Sequence, residues 1–501
     1  MNLKPSITLA FILLIFFSQA KIYPQNAAVF PRLEPDPKAF EFHQIYNTGY
    51  TWEDLARMSL WASGDNSFSG LNRLINAVNA LNNLADFPAS PRERAEYILT
   101  YLHRNILRSY SLYQTRIDTA LTNGSFNCVS SAALYIILCE SAGISTGGVI
   151  TREHAFVTVH IDGQNIDVET TNRFGFDPGN RREFHDQFGR LTGFTYVPAQ
   201  NYRDRQSITS VELISLILNN RIADHERRNR FAESVPLAID RAALLFGQSL
   251  DVTPEAYSSE FLFSDPRKDL MDRLLNYGAI LLRANREEDG LLWASSASSK
   301  YPDSNRWEEY TLAAVNNRIT RFVRERRITD ARTFLENNRN LLSNTSYAQL
   351  NMVIIDAGFL SRANASSTIA EGNAIIHDIE QALENGKTTE NRAFELITYT
   401  IQRTAAALCA VPSSTGTRDW RAAIRYIEAA LSNYGANREL EQALRTYRSN
   451  LAAEYHNRFA AEWNRRNYDE AERILMEGLA EFPDNRQLLN NRETVNRHRA
   501  R

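Results

Sequence analysis

The sequence of 501 residues predicts an α+β domain followed by an all-α region. An apolar run from Asn127 to Gly143 has the length and composition of a buried helix. Residues 154–161 then alternate between apolar and polar side chains, and an Asp-Gly pair typical of a hairpin turn follows them. From about residue 207 to the end of the chain, nearly every segment has the apolar spacing of a helix.

The N-terminus has the three parts of a secretory signal peptide. Lys4 supplies a positive charge, residues 7–17 form an apolar stretch, and Ser18 and Ala20 place small residues at the cleavage positions. We expect cleavage after Ala20, because the apolar stretch is short for a bilayer span; an uncleaved membrane anchor is the alternative. The mature protein is therefore expected to be soluble and either periplasmic or secreted.

The pattern along the mature chain predicts three segments. The proline-rich residues 21–50 are expected to form an irregular N-terminal arm. Residues 51–205 contain the buried helix and the hairpin, and they form the predicted α+β domain. Residues 206–501 form the predicted helical region.

The helical region contains segments that resemble one another. Residues 467–485 match residues 419–437, with small residues at places where two antiparallel helices pack closely. Residues 287–304 fit this pattern loosely, and residues 328–338 more loosely still. The pattern resembles degenerate tetratricopeptide repeats, which bind partner proteins. An irregular helical bundle is the alternative.

Composition excludes few function classes on its own. The net charge of −3 gives no indication of nucleic-acid binding. No glycine-rich phosphate or dinucleotide motif is present, so no cofactor is predicted. His154, His160 and Asp167 could in principle hold zinc, but no Cys-x-x-Cys or His-Glu-x-x-His pattern accompanies them, so no metal is predicted.

Two of the three cysteines lie in the predicted buried helix. Cys139 falls in the middle of its apolar run and is interpreted as a packing residue. Cys128 falls in the first turn, where unpaired N–H groups and the helix dipole lower a thiol pKa and stabilise an oxyanion. The odd number of cysteines leaves at least one unpaired, so a functional thiol at Cys128 is favoured over a structural one.

A thiol nucleophile needs a base, and the base needs an orienting group. His154 begins the first hairpin strand and is the candidate base. A two-residue turn at Asp162-Gly163 places Glu169 diagonally across from His154 on the same face, with Asp167 two residues further away. Both acids stay candidates for the third member, and the geometry favours Glu169.

The order of these features resembles the transglutaminase-like superfamily of papain-fold thiol enzymes. The resemblance rests on "NC" at 127–128, "SAGIST" at 141–146, "HAFVTV" at 154–159 and "VETT" at 168–171. It implies that Cys128 is the nucleophile and His154 the base. The acid of the family is usually an aspartate followed by Pro-Thr, and Glu169 occupies that place here. Asn127 precedes the thiol and is interpreted either as support for an oxyanion or as a simple turn residue.

Together these features predict an exported cysteine-dependent acyltransferase or hydrolase. Its substrate would be a protein or peptide, attacked at an amide or ester carbonyl and transferred to water or to an amine. The helical region would bind a protein partner. The alternative is a catalytically inert scaffold in which only the helical region functions.

Overall fold

Helices form most of the protein, which is described here from a computed structural model covering residues 29–152, 154–179, 205–258, 261, 265–410 and 419–500. The predicted signal peptide, residues 1–20, lies outside this described part. Helical residues make up 72% of the described chain, in 19 α-helices, whereas the strands form one sheet of two strands and one of four. The predicted fold class, an α+β transglutaminase-like (papain-like) domain followed by tetratricopeptide-like repeats, is therefore wrong. The period-two pattern that suggested it covers one hairpin, and helices surround that hairpin on both sides in the chain.

The contacts within the chain divide it into two units, Met1–Ala314 and Val315–Arg501. The predicted boundary at 205–206 falls inside the first unit. The strands are β1 Ser109–Tyr110, β2 Ser125–Phe126, β3 Ser145–Ile150, β4 Ala155–Ile161, β5 Gln164–Val168 and β6 Gln206–Ile208. The α-helices that begin in the first unit are α1 Pro37–Thr48, α2 Trp52–Ser63, α3 Phe68–Asn82, α4 Pro91–Asn105, α5 Ile117–Asn123, α6 Cys128–Ser141, α7 Ser210–Arg227, α8 Phe231–Phe246, α9 Pro266–Arg283, α10 Glu287–Lys300 and α11 Ser304–Arg324. Those of the second unit are α12 Ile328–Asn337, α13 Asn344–Ala365, α14 Ile369–Glu384, α15 Glu390–Ala410, α16 Trp420–Tyr434, α17 Arg438–Asn464, α18 Tyr468–Glu481 and α19 Arg486–Arg499.

Helix α6 lies at the centre of the first unit and confirms the predicted buried helix. Its residues from Val129 to Cys139 are all buried. The helix packs against β3 and β4 on one side and against α2, α4 and α7 on others. A helix that is apolar on all sides needs such complete cover. The chain leaves the helix through Gly143, whose φ of 74° favours glycine.

The four-stranded sheet is antiparallel, with the strand order β5-β4-β3-β6. Ile161 pairs with Gln164, so the hairpin between β4 and β5 has the predicted two-residue turn at Asp162-Gly163. Both turn residues have positive φ, 53° and 75°, as a turn that matches the strand twist requires. Thr158 therefore pairs with Asp167, which is the register that the sequence predicts.

Part of the predicted irregular arm is helical. Helix α1 occupies residues 37–48 within the segment 21–50. The side chain of Asp36 accepts a hydrogen bond from the Lys38 N–H, and Pro37 supplies a first-turn residue whose φ suits a helix. Ala39 and Phe42 are buried in the core of the first unit. The proline that suggested irregular structure therefore starts this helix.

The second unit is a helical assembly of unequal helices rather than a regular repeat. Its helices range from 10 residues in α12 to 27 in α17, whereas a tetratricopeptide array repeats two helices of similar length. The similarity between residues 419–437 and 467–485 corresponds to α16 and α18. Their matched small residues Ala423 and Ala471 are both fully buried in the core of this unit. The similarity thus reflects two helices with the same packing requirement.

Candidate active site

Cys128 is the first residue of α6. The Asn127 side chain accepts a hydrogen bond from the Ser130 N–H, and the Ser130 hydroxyl accepts one from the Asn127 N–H, so the two residues form a reciprocal cap. The first N–H groups of a helix have no partner within it, and the positive end of the helix dipole lies there. The thiol is partly exposed, unlike the buried Cys139. The local sequence therefore fixes Cys128 at the N-terminus of α6, beside these N–H groups.

His154 lies immediately before β4 and contacts Glu169. Its backbone carbonyl accepts a hydrogen bond from the Thr151 N–H, which fixes the turn between β3 and β4. The side chain is only 8% exposed, and its Nε2 lies 2.6 Å from Glu169 Oε2. The thiol of Cys128 lies close enough to the imidazole to help raise its pKa. Because Nε2 contacts the carboxylate, Nδ1 is the ring nitrogen left for the thiol.

Glu169 is buried, and its second oxygen is also occupied. Oε1 accepts hydrogen bonds from the N–H and the hydroxyl of Thr171, at 3.2 and 2.8 Å. The backbone at Glu169 approaches Gly175 so closely that a Cβ on Gly175 would lie 2.0 Å from the Glu169 carbonyl oxygen. Glycine at 175 therefore permits the bend that orients the carboxylate toward His154.

The electrostatics of this group favour a charged imidazole. Burial lowers the pKa of His154, but the Glu169 carboxylate and hydrogen bonds to Cys128 and Glu169 outweigh burial and raise it to about 10. At neutral pH the imidazole is then protonated. The imidazolium thus lies beside both the Cys128 thiol and the Glu169 carboxylate.

Asp167, the other predicted acid, contacts different groups. Its carboxylate accepts two hydrogen bonds from Arg205, at 2.6 and 2.7 Å, and one of 3.0 Å from the Thr158 hydroxyl. Asp167 is therefore held in a bidentate ion pair with Arg205, which directly precedes β6. Of the two acids, Glu169 is the one that is hydrogen-bonded to His154, as the hairpin register favours.

Asn127 has structural contacts on both ends of its amide. Oδ1 caps α6, and Nδ2 donates to the Leu112 carbonyl at 3.2 Å. These contacts fix the backbone on which Cys128 lies. The interpretation as a turn and cap residue describes these contacts, and an oxyanion contact by its other amide hydrogen stays a prediction.

A second layer of polar residues went unnoticed in the sequence. The Ser131 hydroxyl lies 2.9 Å from the Thr170 hydroxyl, and it also donates to the Cys128 carbonyl. His103 Nε2 donates to the Thr170 carbonyl at 3.0 Å, while burial lowers the pKa of His103 to about 4 and keeps its ring neutral. The adjacent serines in an otherwise apolar helix were the available signal, because buried hydroxyls need partners.

Cys128 and His154 line a cleft of about 290 Å³ in the first unit. Its lining includes residues near the start of α6 and the β3–β4 turn, and residues of α7, α8 and the start of α9. The polar residues from these last three helices are Glu212, Ser215, Asn219, Asn220, Arg241 and Asp269. Apolar residues include Leu112, Leu216, Leu245 and Phe261. A cleft with apolar walls and a few polar groups suits the binding of a peptide side chain or a small acyl group.

The other two cysteines have no comparable environment. Cys139 and Cys409 are buried, and no disulfide joins any of the three. Burial raises the pKa of the Cys139 thiol far above its usual value.

Within the described ranges, no group of three or more His, Cys, Asp or Glu residues is arranged to hold a metal ion. No helix in the described part of the chain is long and apolar enough to span a membrane.

Comparison with known proteins assigns neither a family nor a function to this site. No protein-family model matches the chain, and no curated protein matches its sequence. The site is therefore interpreted from its own contacts.

Proposed function

We propose that this protein is an exported cysteine enzyme that transfers an acyl group from an amide or ester to water or to an amine. The observation that carries the proposal is the position of the His154 imidazole between the Cys128 thiol and the Glu169 carboxylate. A nucleophile, a base and an orienting acid in one chain of hydrogen bonds form the arrangement that activates a thiol. The resemblance of residues 127–171 to transglutaminase-like enzymes supports the same roles.

In the first half of the reaction, the Cys128 thiolate attacks the carbonyl carbon of the substrate. A carbon–sulfur bond forms, and negative charge develops on the carbonyl oxygen. The first N–H groups of α6 point toward this end of the helix and would stabilise that charge. Protonated His154 then gives its proton to the leaving amine or alkoxide as the carbon–nitrogen or carbon–oxygen bond breaks, leaving a thioester on Cys128.

In the second half, neutral His154 removes a proton from the acceptor. The acceptor oxygen or nitrogen attacks the thioester carbonyl, the carbon–sulfur bond breaks, and the thiolate and imidazolium are restored. The Glu169 carboxylate stabilises the imidazolium before the first half and after the second. Water as acceptor gives a peptidase or amidase, and an amine gives cross-linking. The partly apolar cleft suits a peptide-like substrate with either acceptor.

The test is the reactivity of Cys128 toward a neutral alkylating reagent in wild type and in His154→Ala. Iodoacetamide consumption, followed by intact mass and peptide mapping, gives the rate at each pH. Wild type should react at pH 6 far faster than an ordinary thiol, and His154→Ala should return the rate and its pH dependence to those of an ordinary thiol. A wild-type profile of an ordinary thiol that the substitution leaves unchanged would disprove the proposal.

The second unit supports an additional role in binding a partner protein. It contains two cavities, of about 640 and 480 Å³, on the helices α12–α14 and α14–α16. This feature also fits the alternative of an inert scaffold. The iodoacetamide profile separates the two, because a scaffold does not need an activated Cys128.

A further inference from the structure

The cleft that contains Cys128 also contains a buried arginine that the proposed triad does not use. Arg241 lies on α8, and its side chain is only 9% exposed. It lines the same cleft as Cys128 and His154. A guanidinium remains charged when buried, so it needs hydrogen-bond acceptors and negative charge around it.

The contacts of Arg241 leave much of its guanidinium without a partner. Nη1 donates to Asp269 Oδ2 at 3.0 Å and to Asn219 Oδ1 at 3.3 Å. Among the described residues these are its hydrogen bonds, and the buried Nε has no acceptor there. The Asp269 carboxylate also pairs with Arg273, at 3.5 Å, and Arg273 in turn contacts Glu226, at 3.3 Å.

Asn219 adds a donor beside Arg241, and the carboxylates of Glu212 and Asp269 line the same cleft. The Asn219 oxygen is used by Arg241, so its amide nitrogen is the part of the side chain available to the cleft. The Glu212 carboxylate accepts a hydrogen bond from the Thr209 N–H at the start of α7, which occupies one of its oxygens. Donors from a partly satisfied guanidinium and a side-chain amide together form a site for an anion with two oxygens.

We propose that Arg241, with Asn219, binds a carboxylate of the acyl substrate, so that the enzyme prefers acidic peptides. This inference rests on the proposed function, since it names the substrate class of the same cleft. The carboxylate could belong to an aspartate or glutamate side chain or to a peptide C-terminus. In either case, Arg241 acts in binding and takes no part in the chemistry at Cys128.

The experiment uses the full chain and pairs of thiol-directed probes that differ in charge. N-bromoacetyl derivatives of glycine, β-alanine and 4-aminobutyrate carry a carboxylate at increasing distance from the electrophilic carbon, and the corresponding amides are neutral. The rate of Cys128 alkylation gives an acid-to-amide ratio for each length. At the best length this ratio should exceed that of a free thiol by about tenfold, the effect of one charge-assisted hydrogen bond. N-bromoacetyl-glutamate α-amide and N-bromoacetyl-glutamine then distinguish a side-chain carboxylate from a C-terminal one.

Four variants test which residue causes the preference for the acidic probe. Arg241→Gln should abolish the preference for the acid, while Asp269 keeps Arg273 as a partner. Asn219→Asp should also reduce it, because its carboxylate competes for Arg241, and it tests the proposal if Arg241→Gln does not fold. Arg57→Gln removes an exposed arginine of the same unit that does not line the cleft, and it should leave the ratio unchanged. Arg152→Gln removes the other arginine that lines the cleft, and it should leave the ratio unchanged.

The outcomes separate the two proposals. An acid preference that survives Arg241→Gln and Asn219→Asp, or one that only Arg152→Gln abolishes, overturns the role of Arg241. So does a wild-type ratio equal to that of a free thiol at all three lengths. Iodoacetamide is neutral, so its rate reports the triad independently. A fast, His154-dependent iodoacetamide reaction without acid preference would reject the carboxylate site alone.

Discussion

The Ser131 hydroxyl lies 2.9 Å from the Thr170 hydroxyl, and this contact joins helix α6, which begins with Cys128, to the segment that carries Glu169. Ser131 is three residues after Cys128 on α6, and Thr170 directly follows Glu169. Both residues are buried. The contact therefore sets the distance between two groups that must both reach His154.

The first prediction concerns this contact. Ser131→Ala and Thr170→Val should each lower the free energy of unfolding by about 1–2 kcal/mol, because each removes the hydrogen bond between the two buried hydroxyls. Each should also slow Cys128 alkylation by iodoacetamide. The double variant should lose less than the sum of the single losses. Urea unfolding and alkylation rates measure both effects, and strictly additive losses would show that the two hydroxyls do not interact.

The second prediction separates the two acids of the hairpin. Glu169→Gln should slow Cys128 alkylation at pH 7 by at least about tenfold, because the imidazolium loses the carboxylate that stabilises its charge. Asp167→Asn is the matched control. It weakens the ion pair with Arg205 and should lower stability slightly, but it should leave the alkylation rate within about threefold. The reverse pattern of rates would identify Asp167 as the functional acid.

The hairpin explains why the acid could be predicted from the sequence. The Asp162-Gly163 pair specifies a two-residue turn, and the turn fixes which residues of β4 and β5 face each other. The position of Cys128 was also predictable, since a polar residue before a long apolar run marks a helix start. The part of the cleft that includes Arg241 could not be predicted, because it comes from helices that lie more than 80 residues after Cys128 in the chain. The predicted fold class was wrong for a related reason. The prediction gave one clear hairpin pattern more weight than the capped helices around it. The size of a sheet depends on tertiary packing, which a hairpin pattern does not specify.

The third prediction is a pH dependence of stability. The pKa of His154 is raised to about 10 in the folded protein, against about 6.5 in an unfolded chain. The folded state thus binds this proton more tightly, and the resulting stability is fully present below pH 6.5 and is lost as the pH rises toward 10. Urea unfolding between pH 6 and 10 should show falling stability in wild type. His154→Ala should flatten this slope, and an unchanged slope would contradict the raised pKa.

The fourth prediction concerns the bend at Gly175. Gly175→Ala places a methyl group 2.0 Å from the Glu169 carbonyl oxygen, so the backbone must move and carry the carboxylate with it. We expect a loss of at least about 2 kcal/mol in stability and slower alkylation of Cys128. Gly358→Ala, within helix α13, is the control. The nearest atom to a Cβ at this position is Cγ2 of Ile328, at an ordinary contact distance of 3.7 Å. That change should be neutral or slightly stabilising, because alanine favours a helix over glycine. Equal behaviour of the two variants would mean that Gly175 has no special role.

The reactivity of the two buried cysteines can be used to measure transient unfolding of the protein. Cys139 lies in the core of the first unit and Cys409 in that of the second. A chromogenic disulfide reagent added to native protein should therefore consume one thiol quickly, at Cys128, and two others only as fast as each core transiently unfolds. Peptide mapping of the slow phases would give a separate opening rate for each unit without any introduced label. It would also reveal whether the two units lose their structure together or one at a time.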